Sequence, residues 1–285
     1  MRRLSSLVMF SIIALVALVP IAGAQSGEQT TPTQEATSPD TQGKQQTRSA
    51  QEATSPDTQS SQAGATQTNP CKNPDPSNFV DKDGNPFKID NKFFPLVPGT
   101  TFFYKGQKDG IPSTTQTFVT HDTKEILRVT TTVVHDQVFE KGVLAEDTFD
   151  WYAQDKAGNV CYFGENTKEL DKNGNVISTE GSFEAGVHGA HPGLIMEATP
   201  KVGDTYQQEF AKGVAEDMAK VLKLNASTCV PYGCFDNLQL TKEWTPLEPG
   251  VVDHKYYAQN VGLIREQTVK GGKERSVLVD ITTGS

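Results

Sequence analysis

The chain has 285 residues, 35% of them hydrophobic and 21% charged, with a formal net charge of −9. That acidic balance, without any cluster of Lys and Arg, excludes the cationic surface that nucleic acid or an anionic membrane demands. None of the local signatures G-x-S-x-G, H-E-x-x-H, P-loop or G-x-G-x-x-G occurs, so no enzyme class that such motifs mark is indicated.

Residues 1–24 read as a signal peptide: Arg2 and Arg3 supply the positive start, Leu7 to Val19 the apolar run, and Ala22-Gly23-Ala24 the small-residue cleavage site. The run is short of the roughly 20 residues a membrane span needs. An uncleaved anchor is the alternative. No cysteine follows the cleavage site to carry a lipid, so the expected product is secreted or periplasmic, with no membrane span after cleavage. Loss of Arg2 and Arg3 takes its net charge from −9 to −11.

Residues 25–70 are rich in Gln, Thr, Ser and Pro and have almost nothing apolar larger than alanine. Such a stretch buries too little surface to offset its ordering entropy and is expected to be a disordered tether. Within it QEATSPDTQ occurs twice, at Gln34–Gln42 and Gln51–Gln59. A duplicated spacer holding a domain off a surface and a tolerated tail both account for this.

Residues 71–285 suit a single β domain. Asn73 to Lys88 reads as coil followed by a turn at Asp81–Asn85. Strand-like runs follow at Thr100–Lys105, Thr115–His121, Lys124–Val134, Gln137–Glu140 and Val143–Gln154. In the third, Leu127, Val129, Thr131 and Val133 alternate with Arg128, Thr130 and Thr132, the two-residue period of a half-buried strand.

The clearest hairpin is Glu146–Glu165, turning at Asp155-Lys156-Ala157-Gly158-Asn159. Counting outward pairs Gln154 with Val160, Ala153 with Cys161, Tyr152 with Tyr162 and Trp151 with Phe163. Trp151, Ala153, Cys161 and Phe163 then share the core face, and Tyr152, Tyr162, Gln154 and Val160 the other.

A second hairpin turns on Asp171–Asn175, pairing Leu170 with Val176. Gly181 to Pro192 reads as a surface loop and Tyr206–Phe210 as a short strand. Val214–Leu224 is the one helix candidate, with Val214, Met218, Val221 and Leu222 on one face. Strands return at Ser227–Val230, Cys234–Trp244, Val251–Ala258, Gly262–Lys270 and Lys273–Ile281, with Gly271-Gly272 as a two-residue turn. About a dozen strands and one short helix predict a mainly β fold: an antiparallel sandwich or a curled, open half-barrel.

Four cysteines in an exported chain allow three full pairings. The spacing of Cys229 and Cys234 lets them meet across a tight bend, leaving Cys71 for Cys161; the other pairings and a partly free set stay open. Zinc held by all four is disfavoured, since C-x-x-C spacing is missing.

The acidic group Glu146, Asp147 and Asp150 divides by alternation, Glu146 and Asp150 facing one way and Asp147 the other. A paired acid/base site there competes with an ordinary acidic hairpin surface. The turns at Asp81, Asp155 and Asp171 lack the layout of an EF-hand, and Asp and Asn belong in such turns anyway. His188 and His191, three apart in a glycine-rich loop, are the best metal candidates, against the commoner case of unpartnered surface histidines. No cofactor is expected.

The stretches FFPLVPGTTFFYKG (Phe93–Gly106), TTVVHDQVFEKGVLAEDTFDWYAQDKAGNVCYFGE, VPYGCFDN and KYYAQNVGLIRE resemble an uncharacterised family of exported bacterial proteins, over nearly all of Lys92–Ile281. The chain's end is more loosely similar to lipoprotein-carrier-type half-barrels, in which a curved sheet cups an apolar ligand. Cys161, where that family has a large aromatic, and Gln259-Asn260, where it has Pro-Gly, are departures. The resemblance implies no established activity. The reading that follows is a non-catalytic binding protein for an apolar small molecule or an envelope component, lined by Phe102, Trp151, Phe163 and Trp244, which plain core packing explains equally well. A hydrolase with a dispersed site and a structural adhesion module are the alternatives.

Overall fold

The computed structural model describes residues 69–284. The expected signal peptide and nearly all of the expected tether lie outside these residues. After a short 3-10 turn (Pro76–Asn78) come β1 (Ile89–Asn91), β2 (Phe94–Leu96), β3 (Thr100–Lys108), β4 (Ile111–Ile126), β5 (Val129–Glu140), β6 (Val143–Gln154) and β7 (Val160–Leu170). Then follow β8 (Val176–Ser178), β9 (Phe183–Glu184), β10 (His191–Met196), β11 (Thr205–Gln207) and β12 (Glu209–Phe210). β13 (Met218–Val230), β14 (Gly233–Trp244), β15 (Val252–Ala258), β16 (Gly262–Lys270) and β17 (Arg275–Thr283) complete the chain.

Two antiparallel meanders, β3 to β7 and β13 to β17, are joined where β17 pairs with β3, Leu278 opposite Tyr104. The resulting 15-stranded sheet has β11 at one edge and β12 at the other. Gln208 alone separates these two strands in sequence, so one short segment serves both edges and draws them together without closing a barrel. Side chains from β3, β5, β6, β7, β14, β15, β16 and β17 share one buried cluster, which requires the sheet to curl about its inner face. The β1–β2 hairpin places Phe94 and Leu96 in that same cluster.

The expected alternation holds in the central hairpin, with one correction. Gln154–Val160, Ala153–Cys161 and Tyr152–Tyr162 pair as counted, but a bulge follows and Trp151 sits opposite Gly164 rather than Phe163. Gly164 has φ 128°, and a Cβ there would lie 2.2 Å from the Phe183 carbonyl oxygen, so the bulge admits β9 where a side chain would block it. Both faces of the hairpin are core. Tyr152, Val160 and Tyr162 pack inside the curl; Trp151, Ala153, Cys161 and Phe163 pack outside it with Cys71 and Phe79. Disulfides join Cys71 to Cys161 and Cys229 to Cys234.

Three further expectations are corrected. Val214–Leu224 is not helical: Ala211 and Ala215 bridge across a tight loop, and Met218 onward is strand β13. Bulges at Val221/Lys223 and beyond interrupt the two-residue period, leaving apolar spacings that mimic a helix. The run Lys124–Val134 is split by a tight turn in which Leu127 and Arg128 take φ of 52° and 64°, values unusual enough for such residues that the pattern concealed it. Gly271-Gly272 is part of a wider loop: Gln267 pairs with Arg275, whereas Lys270 pairs with Val252 of β15.

Candidate functional site

Alternation along β4, β5 and β6 turns Ser113, Thr115 and Thr117, then Val134, Asp136 and Val138, then Glu146, Thr148, Asp150 and Tyr152 to buried positions. Strand pairing puts Val134 opposite Asp150 and Asp136 opposite Thr148, so Asp136 and Asp150 are diagonal neighbours. Both reach a cavity of about 40 Å³ whose walls are Phe94, Leu96, Phe102, Tyr104, Val134, Tyr152 and Leu263. At ~10–15 Å³ for each water this is room for about three waters, or for the end of a short aliphatic chain.

The β1–β2 hairpin roofs the cavity and is fastened by side-chain amides. Gln154 Oε1 accepts from the backbone N–H groups of Asp90 (3.0 Å) and Asn91 (2.9 Å), while its Nε2 donates to Asp90 Oδ1 at 2.7 Å. Asn91 Nδ2 donates to the carbonyls of Gly158 (2.8 Å) and Glu197 (3.1 Å). The backbone N–H of Asn260 bonds to the Lys92 carbonyl at 2.7 Å, tying the roof to the β15–β16 turn.

The floor is acidic. Thr117 Oγ1 donates to Asp136 Oδ2 at 2.7 Å, and Tyr162 Oη donates to Asp150 Oδ1 at 2.6 Å and lies 3.2 Å from Glu165 Oε2, from which it accepts when Glu165 is protonated. Asp136 Oδ1 is buried without a hydrogen-bond partner. Burial pushes Asp136 well above the usual carboxylate range, and neighbouring Asp150 adds to the effect. Burial raises Asp150 to about 7, partly offset by the hydrogen bond from Tyr162. Glu165 is raised by burial and then by Asp150, and Glu209 by burial and then by Asp217. Burial also keeps Tyr104, Tyr152 and Tyr162 protonated. The inner face thus holds protons and few charges at neutral pH.

A second buried network lies on β14 to β16. Lys255 Nζ sits 3.0 Å from Glu243 Oε2 and 3.5 Å from Glu266 Oε1, and Tyr257 Oη donates to Glu243 Oε1 at 3.1 Å. Burial lowers Lys255, but the two carboxylates more than offset it and hold the ammonium above its usual value; burial raises Glu266 to about 8.

Of the four aromatics singled out from sequence, Phe102 lines the cavity. Trp151 and Phe163 pack in the cluster outside the curl, and Trp244 is half-buried at the end of β14 under Lys242 Nζ, 4.6 Å from its ring. His191 stacks on Phe210 with ring centroids 4.3 Å apart, and burial lowers its pKa; His188 is exposed in a turn at φ 50°. Among the described residues no group of three or more His, Cys, Asp or Glu side chains is placed to hold a metal ion.

Glu146 and Asp150 do share the inner face. Asp147 points away and meets His135 Nε2 at 2.7 Å. In each Asp-x-x-Gly-Asn turn the aspartate Oδ1 accepts backbone N–H groups two and four residues on, as Asp171 does from Asn173 (2.8 Å) and Asn175 (2.9 Å). These carboxylates are turn locks. Asp136, Glu165 and Glu209 were not legible as site residues. For Asp136 a signal exists: it stands in phase with Val134 and Val138, an acid at an apolar position.

No protein-family model matches the chain, and no curated protein does. Among solved structures it is similar to a protein of YmcC-like fold from Bacteroides fragilis, described as exported, with 15% identity and a TM-score of 0.41 over 67% of this chain and 99% of that one. It is also similar to a protein from Parabacteroides distasonis described as a lipoprotein, with 13% identity and a TM-score of 0.39 over the same shares. Likeness at this level assigns no function. The two disulfides suit an oxidising compartment outside the cytoplasm.

Proposed function

We propose that this protein is a secreted or periplasmic, non-catalytic binding protein that receives the apolar end of a small molecule or envelope component in the cavity beneath the β1–β2 hairpin. The observation that carries the reading is the cavity itself, a space of about 40 Å³ kept open among Phe94, Leu96, Phe102, Tyr104 and Leu263. Its size favours binding over catalysis. Asp136 and Asp150 are the kind of carboxyl pair that acid/base chemistry uses, yet the room above them admits only a few atoms of a substrate.

Xenon-pressurised crystals combined with native mass spectrometry of the disulfide-intact chain from its own cell envelope test this. The expected results are one xenon site between Phe94 and Phe102 and an excess mass that denaturation releases. A bare mass together with an empty cavity under xenon would overturn the reading.

A further inference from the structure

The cavity's chemistry is lopsided. Its walls are apolar, and the polar side chains that line it are Thr117, Asp136, Asp150 and the tyrosines Tyr104 and Tyr152. No Lys, Arg or His borders it. The Thr117 hydroxyl hydrogen is committed to Asp136 Oδ2, and the Tyr104 hydroxyl donates to the Leu263 carbonyl at 3.0 Å. Asp136 is only 5% exposed, and its Oδ1 has no partner in a place where an unmet acceptor costs roughly 1–3 kcal/mol. Asp150 stands diagonally across from it, bonded to Tyr162 through Oδ1.

An acceptor pair beneath apolar and aromatic walls is complementary to a group that offers several N–H donors and positive charge on a short hydrocarbon stem. We infer that the cavity is a binding site for a primary alkylammonium group, its nitrogen bonded to Asp136 Oδ1 and its stem lying among Phe94, Phe102 and Leu263. The rings of Phe102, Tyr104 and Tyr152 favour a cation there, since aromatic faces attract it. A carboxylate or phosphate ligand would meet two acids and no cation. Asp136 holds its proton in the empty cavity, so an ammonium binds as that proton is released to solvent, whereas an alcohol satisfies Oδ1 with one donor and releases none. The inference rests on the cavity reading of the preceding section and adds the class of headgroup.

The test is NMR titration of the oxidised full chain with propylammonium, 1-propanol and propionate, for the native protein and Asp136→Asn, which keeps the side chain's shape. Propylammonium is expected to bind roughly tenfold more tightly than 1-propanol, the scale of one charge-assisted hydrogen bond, with propionate not binding. Asp136→Asn is expected to erase that preference, propylammonium then binding no more tightly than 1-propanol. Equal affinity for propylammonium and 1-propanol in the native protein would overturn the headgroup assignment and leave the apolar cavity standing. Binding of neither would overturn both. The native-protein comparison decides the matter even if the variant does not fold.

Discussion

The two faces of the β6–β7 hairpin are buried to the same depth and do opposite things. Outside the curl, Trp151, Ala153, Cys161 and Phe163 pack on Phe79, whose ring meets Phe163 edge-on at 5.8 Å, and on the disulfide that fixes Cys71 to Cys161. Inside it, alternate residues of the same two strands present Asp150, Tyr152, Tyr162 and Glu165, held by hydrogen bonds and by retained protons. The outer face draws its stability from area and dispersion, which do not depend on pH. The inner face gains stability only while its carboxyls stay protonated, and the same unmet acceptors equip it for a ligand.

The largest consequence is in the pH profile. Asp150 (about 7) and Glu266 (about 8) bind protons in the folded state that the unfolded chain, with ordinary carboxyls near 4, has released. Their stabilising contribution is therefore complete below about pH 4 and is lost as pH rises through 7 to 8, at on the order of 1.4 kcal/mol per pH unit for each. Urea unfolding followed from pH 5 to pH 8 should show stability falling by several kcal/mol, and Asp150→Asn should flatten the slope. A profile that rises over this range would mean that the inner carboxyls are not protonated.

Phe163→Ala, on the outer face, should lower stability by about 3–5 kcal/mol, equally at pH 5 and pH 8. A loss that differs between the two pH values would show that the faces are not independent. Replacing Cys71 and Cys161 together with serine opens a link spanning 90 residues and should cost about 2–5 kcal/mol in the same assay, again without altering the pH slope. The smallest effect belongs to the surface turns: Asp171→Ala removes the bonds to Asn173 and Asn175 and should lower stability less than either of the preceding changes in the same assay.

The outer face was the legible one. Trp151, Ala153, Cys161 and Phe163 announce themselves by alternation, and the Asp155–Asn159 turn fixes their register as far as Tyr152–Tyr162. The Asp171–Asn175 turn gives the Leu170–Val176 pair in the same way. Legibility fails where the period slips. The bulge at Phe163–Gly164 moves Trp151 off its counted partner, those in β13 turn a strand into an apparent helix, and a positive-φ turn at Leu127–Arg128 carries no glycine to mark it. The inner face fails for a different reason. Asp150 and Glu165 look like ordinary solvent-facing acids on an alternating strand, Asp136 betrays itself only by its phase with Val134 and Val138, and the curl of a sheet whose edges meet at Gln208 is what makes that face an interior. Curvature is a long-range property, and no local pattern reports it.

A crystal structure of the oxidised full chain soaked with propylammonium at pH 7 tests the central claim, that the inner face is an acid-floored binding cavity, most directly. The account predicts density for the ligand beneath Phe94 and Leu96, its nitrogen within hydrogen-bonding distance of Asp136 Oδ1. Water alone on Asp136 Oδ1, with the cavity otherwise unfilled at saturating ligand, would contradict it.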